Sequence, residues 1–449
     1  MSNKRPRKSG NPDLRRQQQT PNLEIPYFEE ELIKYLEPAL FTPLKYVQGN
    51  HEKVMRDRLL NLPVMVALIL SLVYRQIAGL SEAVRILKEE GLLWVKPLEV
   101  SKQALSKRLM NLPAEIFAIL LKTLLEKVKQ TSQEIKLDSS FQEIKEKFSV
   151  VWIADGSTLE QLRNRLKIAQ EKEGKLAGKI MMIVEAFTNN PVTVWYQEKE
   201  KYNDRNWSED ILNQLPKSGL IIVDMGFFSF PWFDQLTAAE KFFITRLRQG
   251  TAYEVKQVLS QGTYYKDEII QMGKYRSNPS QYPVRLVSVL WGKTWYRYLT
   301  NVLSSEQLSP SEICELYRRR WQIEEAFLLT KRLLGLAYLW VGHSNGVQIQ
   351  ILATLIFYTV LNQLVTEVAL LSHTRSVTAL NKPKEKISVE MVFRSLYYVA
   401  KAITRGENPD VVSYLVERAK LFGLVKAERK RHREKVALTQ QIWEAIPLS

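Results

Sequence analysis

The chain has 449 residues, of which 45% are hydrophobic and 25% charged, the proportions of a globular protein long enough for two or three domains. Its 64 Lys and Arg residues outnumber its 48 acidic residues, and the resulting net charge of +16 predicts a polyanionic partner, either nucleic acid or an anionic membrane surface. A single cysteine, Cys314, excludes a disulfide framework and a thiolate metal cluster.

The N-terminal third of the chain is predicted to be helical. Residues 1–22 are basic, rich in Gln and poor in large apolar side chains, which predicts a disordered arm without the apolar stretch of a secretory signal. From 23 to 147 apolar residues recur at three- and four-residue spacing, typical of a helical domain. Within it, EVSKQALSKRLMNL (99–112) is either the recognition helix of a helix-turn-helix or an ordinary capped surface helix.

From residue 148 the pattern changes to short apolar runs typical of strands. These runs alternate with the polar helix WSEDILNQL, and this order predicts an α/β domain with a mixed sheet. The predicted strands are FSVVWIAD (148–155), KIMMIVEAF (179–187), PVTVWYQEK (191–199), GLIIVD (219–224) and KFFITRLR (241–248).

Residues 249–303 keep the strand pattern without helical periodicity, which predicts a β-rich insertion. Further along, the apolar run at 347–371 is interrupted by Gln, Asn and Glu, so we expect a core helix rather than a membrane span. Residues 373–449 are predicted to form a helical C-terminal region, which contains the basic segment KAERKRHREK (426–435).

Two predicted strands end in an aspartate that is followed within two residues by glycine. In α/β sheets the carboxyl ends of strands are where ligands bind, and Asp155 and Asp224 occupy such positions. Two unpaired carboxylates directed at one volume repel each other, so they are natural ligands for a hard cation such as Mg²⁺. Aspartate after a strand is also a common turn former or N-cap, and both interpretations stay open at this point.

The stretch YRRRWQIEEAFLLTK (317–331) predicts a helix that begins at Ser309 with a capping box and ends near Gly335. With a rotation of about 100° per residue around the helix axis, four polar side chains fall within an arc of roughly 60° and form one edge of the helix. This edge contains Tyr317, Arg320, Glu324 and Lys331. An apolar stripe beside it is predicted to pack on the sheet. It contains Leu316, Ile323, Phe327 and Leu334.

This edge has a coherent chemistry. Glu324 is placed to complete a three-carboxylate metal site with Asp155 and Asp224, whereas Glu325 faces away and is expected to be dispensable. The basic side chains of Arg320 and Lys331, together with Tyr317, are suited to hold phosphates beside such a site.

The spacing of the four edge residues resembles the Y-R-E-K signature of the DDE transposases of bacterial insertion sequences, of the IS-four type. YRRRWQIEEAF is similar to the family pattern YRxRWxIExxF at every fixed position. VWIADGSTL resembles the family segment with the first catalytic aspartate, and VDMGFFSF with FFITRLR resembles the segment with the second. The resemblance covers about 148–340.

The resemblance implies a ribonuclease-H-like core at 148–248 and 304–372, interrupted by the β-rich insertion at 249–303. It implies that Asp155, Asp224 and Glu324 are catalytic and bind two Mg²⁺ ions, for which Mn²⁺ can substitute. It further implies that the edge residues Tyr317, Arg320 and Lys331 contact DNA phosphates. Trp321 would hold a base flipped out of the stack, assisted by a second aromatic residue for which Trp291 and Trp295 are candidates.

On this resemblance we expect a cytoplasmic, nucleoid-associated bacterial transposase. It would cut double-stranded DNA at terminal inverted repeats and join the 3′ ends to target DNA, as a homodimer on paired ends and without a membrane, with residues 23–147 binding DNA. One alternative is a DNA-binding protein without cleavage activity, which explains the charge but not the three acids. A second alternative is a metal-dependent endonuclease without strand transfer.

Overall fold

The computed structural model describes residues 59–75, 77, 79–131, 139–159, 178–199, 202–332, 344–374 and 387–425, with a few single positions before residue 59. Three predictions lie outside these residues: the disordered arm at 1–22, the helix end at Gly335 and the basic segment at 426–435.

The described part of the N-terminal third is helical, as predicted. Asn61 caps the first of these helices by accepting a hydrogen bond from the Val64 N–H at 3.1 Å, and almost every residue of that helix is buried. The helices are α1 (Leu62–Tyr74), α2 (Leu80–Glu89), α3 (Lys102–Asn111), α4 (Ala114–Thr131) and α5 (Ser139–Lys147).

Helix α3 is the stretch for which two interpretations were open. Ser101 caps it, and its buried residues are Leu105 and Leu109. The connection from α2 runs from 90 to 101 and contains the bridge between Leu92 and Val95. A helix-turn-helix joins its helices by a turn of about three or four residues, so this connection favours a capped surface helix.

Nine strands form one mixed sheet in the order β3-β2-β1-β4-β5-β9-β8-β7-β6. The first five confirm the predicted strands: β1 (Val151–Thr158), β2 (Lys179–Glu185), β3 (Pro191–Gln197), β4 (Leu220–Val223) and β5 (Phe242–Arg246). Strand β1 pairs antiparallel with β2 and parallel with β4, and β4 pairs parallel with β5. Helices α6 (Ser208–Gln214) and α7 (Phe230–Ala238) lie in the connections, and α7 was not predicted.

The predicted β-rich insertion does not form a separate sheet. Its strands are β6 (Tyr253–Gln261), β7 (Tyr265–Met272), β8 (Val284–Trp291) and β9 (Thr294–Thr300). Strand β9 pairs antiparallel with β5, so the insertion continues the same sheet outward.

Side chains alternate between two cores on the two faces of the sheet, as the period of two in a strand requires. In β1, Val151 and Ile153 face one core, whereas Trp152 and Ala154 face the other. The first core also contains the helices that follow the sheet, and the second contains α6 and α7. We call the first side the α8 face, after helix α8 (Pro310–Arg319), and the second side the α7 face.

The helices after the sheet are α8 (Pro310–Arg319), α9 (Trp321–Arg332), α10 (Ser344–Thr374), α11 (Val389–Thr404), α12 (Val411–Glu417) and α13 (Ala419–Phe422). Helix α8 begins at Ser309 with the predicted capping box to Glu312. The prediction of one unbroken helix through the motif is wrong, because the chain leaves the regular helix at Arg320. There the amide N–H donates to the Tyr317 carbonyl, three residues back, at 3.1 Å, which makes a tight 3₁₀ turn.

Helix α10 confirms the predicted core helix. Within the described residues it is the one helix long and apolar enough to cross a membrane, yet 94% of its most apolar window is buried inside the protein. It packs against α1 and α4 on one side and contacts β3, so it joins the helical N-terminal part to the sheet.

A fully buried ion pair connects the insertion strands to the start of α8. Arg285 on β8 donates from Nε and Nη2 to both carboxylate oxygens of Asp267 on β7, each at 2.7 Å, and the two residues are 0% and 1% exposed. Its Nη1 donates to the carbonyls of Ser304 and Leu308, at 3.1 and 2.6 Å. The pair therefore holds the loop from which α8 begins.

We expect Arg285→Met to lower the free energy of unfolding by about 3 kcal/mol or more, because it leaves the Asp267 carboxylate buried without a counter-charge. The double variant Arg285→Met/Asp267→Leu should recover much of this loss. Chemical denaturation measures both. Lys217→Met is the control, since its partner Glu240 at 2.9 Å is exposed like Lys217 itself, and such pairs contribute about 1 kcal/mol or less. A cost for Arg285→Met no larger than that of the control would contradict the role given to the pair.

Candidate active site

Strands β1 and β4 bring the two predicted aspartates together. They are parallel neighbours in which Ala154 pairs with Val223, so the next residue on each strand, Asp155 and Asp224, lies at the same level. By alternation both carboxylates belong to the α8 face. One detail differs from the prediction, since β1 continues past Asp155 to Thr158, paired only with β2. Asp155 is therefore the first residue of β1 beyond the end of β4.

Asp155 is half-buried and carries two defined contacts. Its Oδ1 accepts from the Gly156 N–H at 2.8 Å and its Oδ2 accepts from Arg320 Nη1 at 2.8 Å. Burial raises the pKa of Asp155 to about 6; Arg320 and the Gly156 N–H act in the opposite direction, and the negative charges of Asp224 and Asp204 raise it further. The ionised form of Asp155 is therefore less favourable in this pocket than it is in water.

Arg320 joins two of the three predicted acids. Besides its bond to Asp155, its Nη2 lies 3.5 Å from Glu324 Oε1, in an ion pair between neighbouring turns. The guanidinium lies 5.3 Å from the Trp321 ring centre and 5.9 Å from that of Tyr317, distances at which a cation is attracted to an aromatic face. Asp155 and Arg320 are 165 positions apart in the chain, so this contact depends on the fold.

The three carboxylates face one region without forming a closed ligand set. Among the described residues, no three Asp, Glu, His or Cys side chains lie close enough to share one metal ion. The positive charge that Asp155 and Glu324 share is the guanidinium of Arg320. Three carboxylates without sulfur or imidazole are the ligand chemistry of Mg²⁺, and the half-buried negative charge requires a cation. By chemistry these residues therefore fit the predicted metal.

Lys331 lies beside Asp155 on the same face of β1. Its Nζ donates to the Ser157 hydroxyl and to the Thr158 carbonyl, each at 2.5 Å. Burial lowers the pKa of Lys331 to about 8. A phosphate bound beside Lys331 would raise this pKa again and so favour the charged ammonium.

Tyr317 and Trp321 differ in what they can reach. Tyr317 is only 7% exposed and its ring packs on Tyr298 at 5.3 Å. Burial raises its pKa to about 12, so its hydroxyl remains protonated. Trp321 is 60% exposed, which leaves its ring available to a partner.

The two candidate tryptophans of the insertion lie on opposite faces of the sheet. Trp291 packs edge-on against Tyr296 at 5.9 Å, and both belong to the α8 face. Trp295 is adjacent to Tyr296 on β9, so by alternation it lies on the other face. Trp291 is thus the one on the side of Arg320 and Trp321.

Two further charged residues lie at the site although no motif or spacing in the sequence predicts them there. Asp204 and Lys179 form an ion pair at 2.6 Å next to Gly156. Asp204 precedes a predicted helix in a polar stretch, where aspartate is ordinary, and Lys179 begins a strand. Only their contacts with the strand ends, which the fold creates, identify Asp204 and Lys179 as part of the site.

Residues 137–360 match the family model described as a transposase DDE domain. A relative from Synechocystis sp., described as a candidate transposase for insertion sequence element IS4SA, is 25% identical over 168 residues. That alignment spans 36% of this chain and 46% of the relative, so less than half of the relative's length is covered. The piggyBac transposase synaptic complex with hairpin DNA superposes with a TM-score of 0.37 at 12% identity, over 93% of this chain and 85% of that one.

We expect the stability of Asp155→Asn, relative to that of the unchanged protein, to rise between about pH 4 and pH 6.5 and then to stay constant. The folded state keeps the Asp155 proton up to about pH 6, whereas the unfolded chain releases it near its ordinary pKa of about 3.9. Folding therefore binds protons in this window, and the unchanged protein loses stability as pH rises through it, by about 3 kcal/mol at most.

Thermal unfolding at several pH values measures this difference. Asp210→Asn removes an exposed charge and serves as the control. A stability difference between Asp155→Asn and the unchanged protein that does not depend on pH would contradict the perturbed carboxylate.

Proposed function

Since residues 137–360 place this chain among the DDE transposases of the IS-four type, we propose that it cuts DNA at the ends of an insertion sequence and joins the freed 3′ ends to target DNA. The observation that carries the proposal is the contact of Arg320 with both Asp155 and Glu324. Residues from two distant motifs meet there in one pocket, with Asp224 on the adjacent strand.

We further propose that the first five strands form a ribonuclease-H-like core. Three antiparallel strands followed by two parallel ones, in the order β3-β2-β1-β4-β5, support this. Helices α8 and α9, which carry the third acid, pack on the same face of that sheet as Asp155. In this arrangement the core supplies two acids from neighbouring strands and the helix supplies the third.

The metal would be held by Asp155, Asp224 and Glu324. Two Mg²⁺ ions held there would supply Lewis-acid activation of the attacking water or 3′-hydroxyl and charge stabilisation for the leaving oxygen of an in-line phosphoryl displacement. The chain's own contribution is a half-buried pocket in which the Arg320 guanidinium and the Gly156 N–H partly offset the rise that burial causes in the pKa of Asp155. Above about pH 6, Asp155 is ionised and able to act as a ligand.

The DNA backbone would lie along Lys331, Arg320 and Trp321. Arg320 can donate to a phosphate from the N–H groups that its bonds to Asp155 and Glu324 leave over, and Lys331 supplies a partly desolvated ammonium. Tyr317 is buried, so we propose that only its hydroxyl contributes. The exposed ring of Trp321, with Trp291 on the same face, is suited to hold an unstacked base.

The remaining parts of the proposal rest on charge and arrangement. The net charge of +16 suits a polyanionic partner, and we propose that the helices within 23–147 bind the terminal repeats. We also propose a cytoplasmic, nucleoid-associated enzyme that acts as a homodimer on paired ends.

We expect Asp155→Ala, Asp224→Ala and Glu324→Ala each to reduce Mg²⁺-dependent nicking of DNA with the element's terminal repeats by at least about a hundredfold, because each removes a ligand. Glu325→Ala, the neighbouring exposed acid, is the matched control and should retain activity. Nicking is measured on labelled DNA, and joining on precleaved ends. Full cleavage by any of the three variants would refute the metal triad. Cleavage without joining would identify an endonuclease, and binding without either would identify a DNA-binding protein.

We expect DNA affinity to fall between about pH 7 and pH 9 in the unchanged protein and to stay nearly constant in Lys331→Arg. The Lys331 ammonium, with its pKa lowered to about 8, loses its charge in this range, whereas arginine keeps its charge.

Fluorescence anisotropy with labelled duplex at several salt concentrations measures this. Lys331→Met should also reduce the log–log salt slope by about one. The exposed Lys217 supplies the control variant Lys217→Met. Equal pH dependence in Lys331→Arg and the unchanged protein would argue against a phosphate contact for Lys331.

A further inference from the structure

The back of the pocket, on the α7 face of the sheet, is built around Asp204. This residue opens a short 3₁₀ turn, Asp204–Trp207, between β3 and α6. By alternation along β1, Asp155 projects to the α8 face and Gly156 to the α7 face. Asp204 packs on Gly156 so closely that a Cβ at that glycine would lie 2.2 Å from Asp204 Oδ1. The carboxylate therefore rests directly on the backbone that follows Asp155.

The same turn also contacts the backbone that follows Asp224. A Cβ at Gly226 would lie 3.5 Å from Asp204 Oδ2, and Arg205 Nε donates to the Gly226 carbonyl at 3.3 Å. One short turn thus contacts both strand ends that carry the proposed metal ligands.

Lys179 on β2 supplies the counter-charge. Its Nζ lies 2.6 Å from Asp204 Oδ1, and the two side chains are 13% and 24% exposed. Lys179 Nζ also donates to the Tyr202 carbonyl at 3.0 Å. In the β1–β2 register Lys179 pairs with Thr158, three residues after Asp155, so the pair ties the turn to the sheet beside the pocket.

An ordinary capping role does not explain Asp204. The cap of the 3₁₀ turn is Asn203, whose side chain accepts from the Arg205 N–H at 3.1 Å. Within the described residues, the one polar partner of Asp204 Oδ1 is the Lys179 ammonium. The negative charge of Asp204 repels those of Asp155 and Asp224 by Coulomb's law. If Asp204 served only to pack against Gly156, a neutral side chain would do so at a lower electrostatic cost.

We propose that Asp204 and Lys179 are a positioning pair, which fixes the backbone at Gly156 and Gly226 so that Asp155 and Asp224 face each other at a set separation. This rests on the proposed function, because it treats those two aspartates as metal ligands. Asp204 acts from the opposite face of the sheet and is not itself a ligand. Residues that orient metal ligands typically change metal affinity by about 10- to 100-fold when they are lost.

The experiment measures Mn²⁺ binding to the full chain without DNA, by the loss of the free-ion electron paramagnetic resonance signal, together with thermal unfolding. We expect Asp204→Asn and Lys179→Met to bind Mn²⁺ at least about tenfold more weakly, with little change in melting temperature. Lys179→Arg, which keeps the pair, should bind as the unchanged protein does. Asp234→Asn is the matched control, since Asp234 is also half-buried and accepts backbone N–H bonds, from Gln281 and Tyr282, away from the pocket.

A second pair of variants separates position from charge. Gly156→Ala keeps the Asp204 charge but forces the carboxylate away, so it should weaken Mn²⁺ binding as Asp204→Asn does. Gly226→Ala makes only an ordinary contact and should have a much smaller effect.

Two results would overturn the inference: Mn²⁺ affinity unchanged in Asp204→Asn, or an equal loss in Asp234→Asn. If the unchanged protein bound no Mn²⁺, the proposed function would fail and the pair's role with it. If the unchanged protein and every variant bound Mn²⁺ equally well, the role of the Asp204–Lys179 pair would be refuted but the proposed function would not.

Discussion

The structure depends on keeping negatively charged side chains together in a pocket that is partly shielded from water. Like charges at short range repel, and burial makes each ionised carboxylate more costly still. The Arg320 guanidinium offsets this repulsion, because it lies between Asp155 on the sheet and Glu324 on α9 and pairs with both. The chain departs from the regular helix at Arg320 itself. A divalent cation would neutralise the same carboxylates. The Arg320 guanidinium and a metal ion are therefore both suited to these acids.

The sheet provides the rigid frame on which this pocket is built. Parallel pairing of β1 with β4 sets Asp155 and Asp224 level with each other. Beyond β5, strands β6 to β9 extend the sheet, and the buried Arg285 holds the loop at Ser304 and Leu308 from which α8 begins. The insertion is therefore linked to the start of α8, the helix that directly precedes α9 and its Glu324. A fully buried charge pair fixes that link because any displacement would leave one charge without its partner.

The residues of the Y-R-E-K signature have distinct environments. Tyr317 is packed in the core against Tyr298, Arg320 is nearly buried between acids, Glu324 is half exposed and Lys331 is desolvated against β1. Trp321, which lies between Arg320 and Glu324 in the motif, is in contrast largely exposed. These differences suit the separate roles proposed for the four residues: orientation of the helix, charge balance, metal ligation and phosphate contact.

The sequence by itself determined the strands, the core helix α10 and the capped start of α8, because these depend on local periodicity and capping, and its motif spacing singled out the candidate acids. Only the tertiary structure decided that the insertion continues the main sheet, that the motif helix breaks at Arg320, and that Trp291 and Trp295 lie on opposite faces. It alone brought Asp204 and Lys179 to Gly156. The physical reason is that strand pairing, side-chain burial and ion pairs join residues far apart in the chain, and no local pattern records which of these partners will meet.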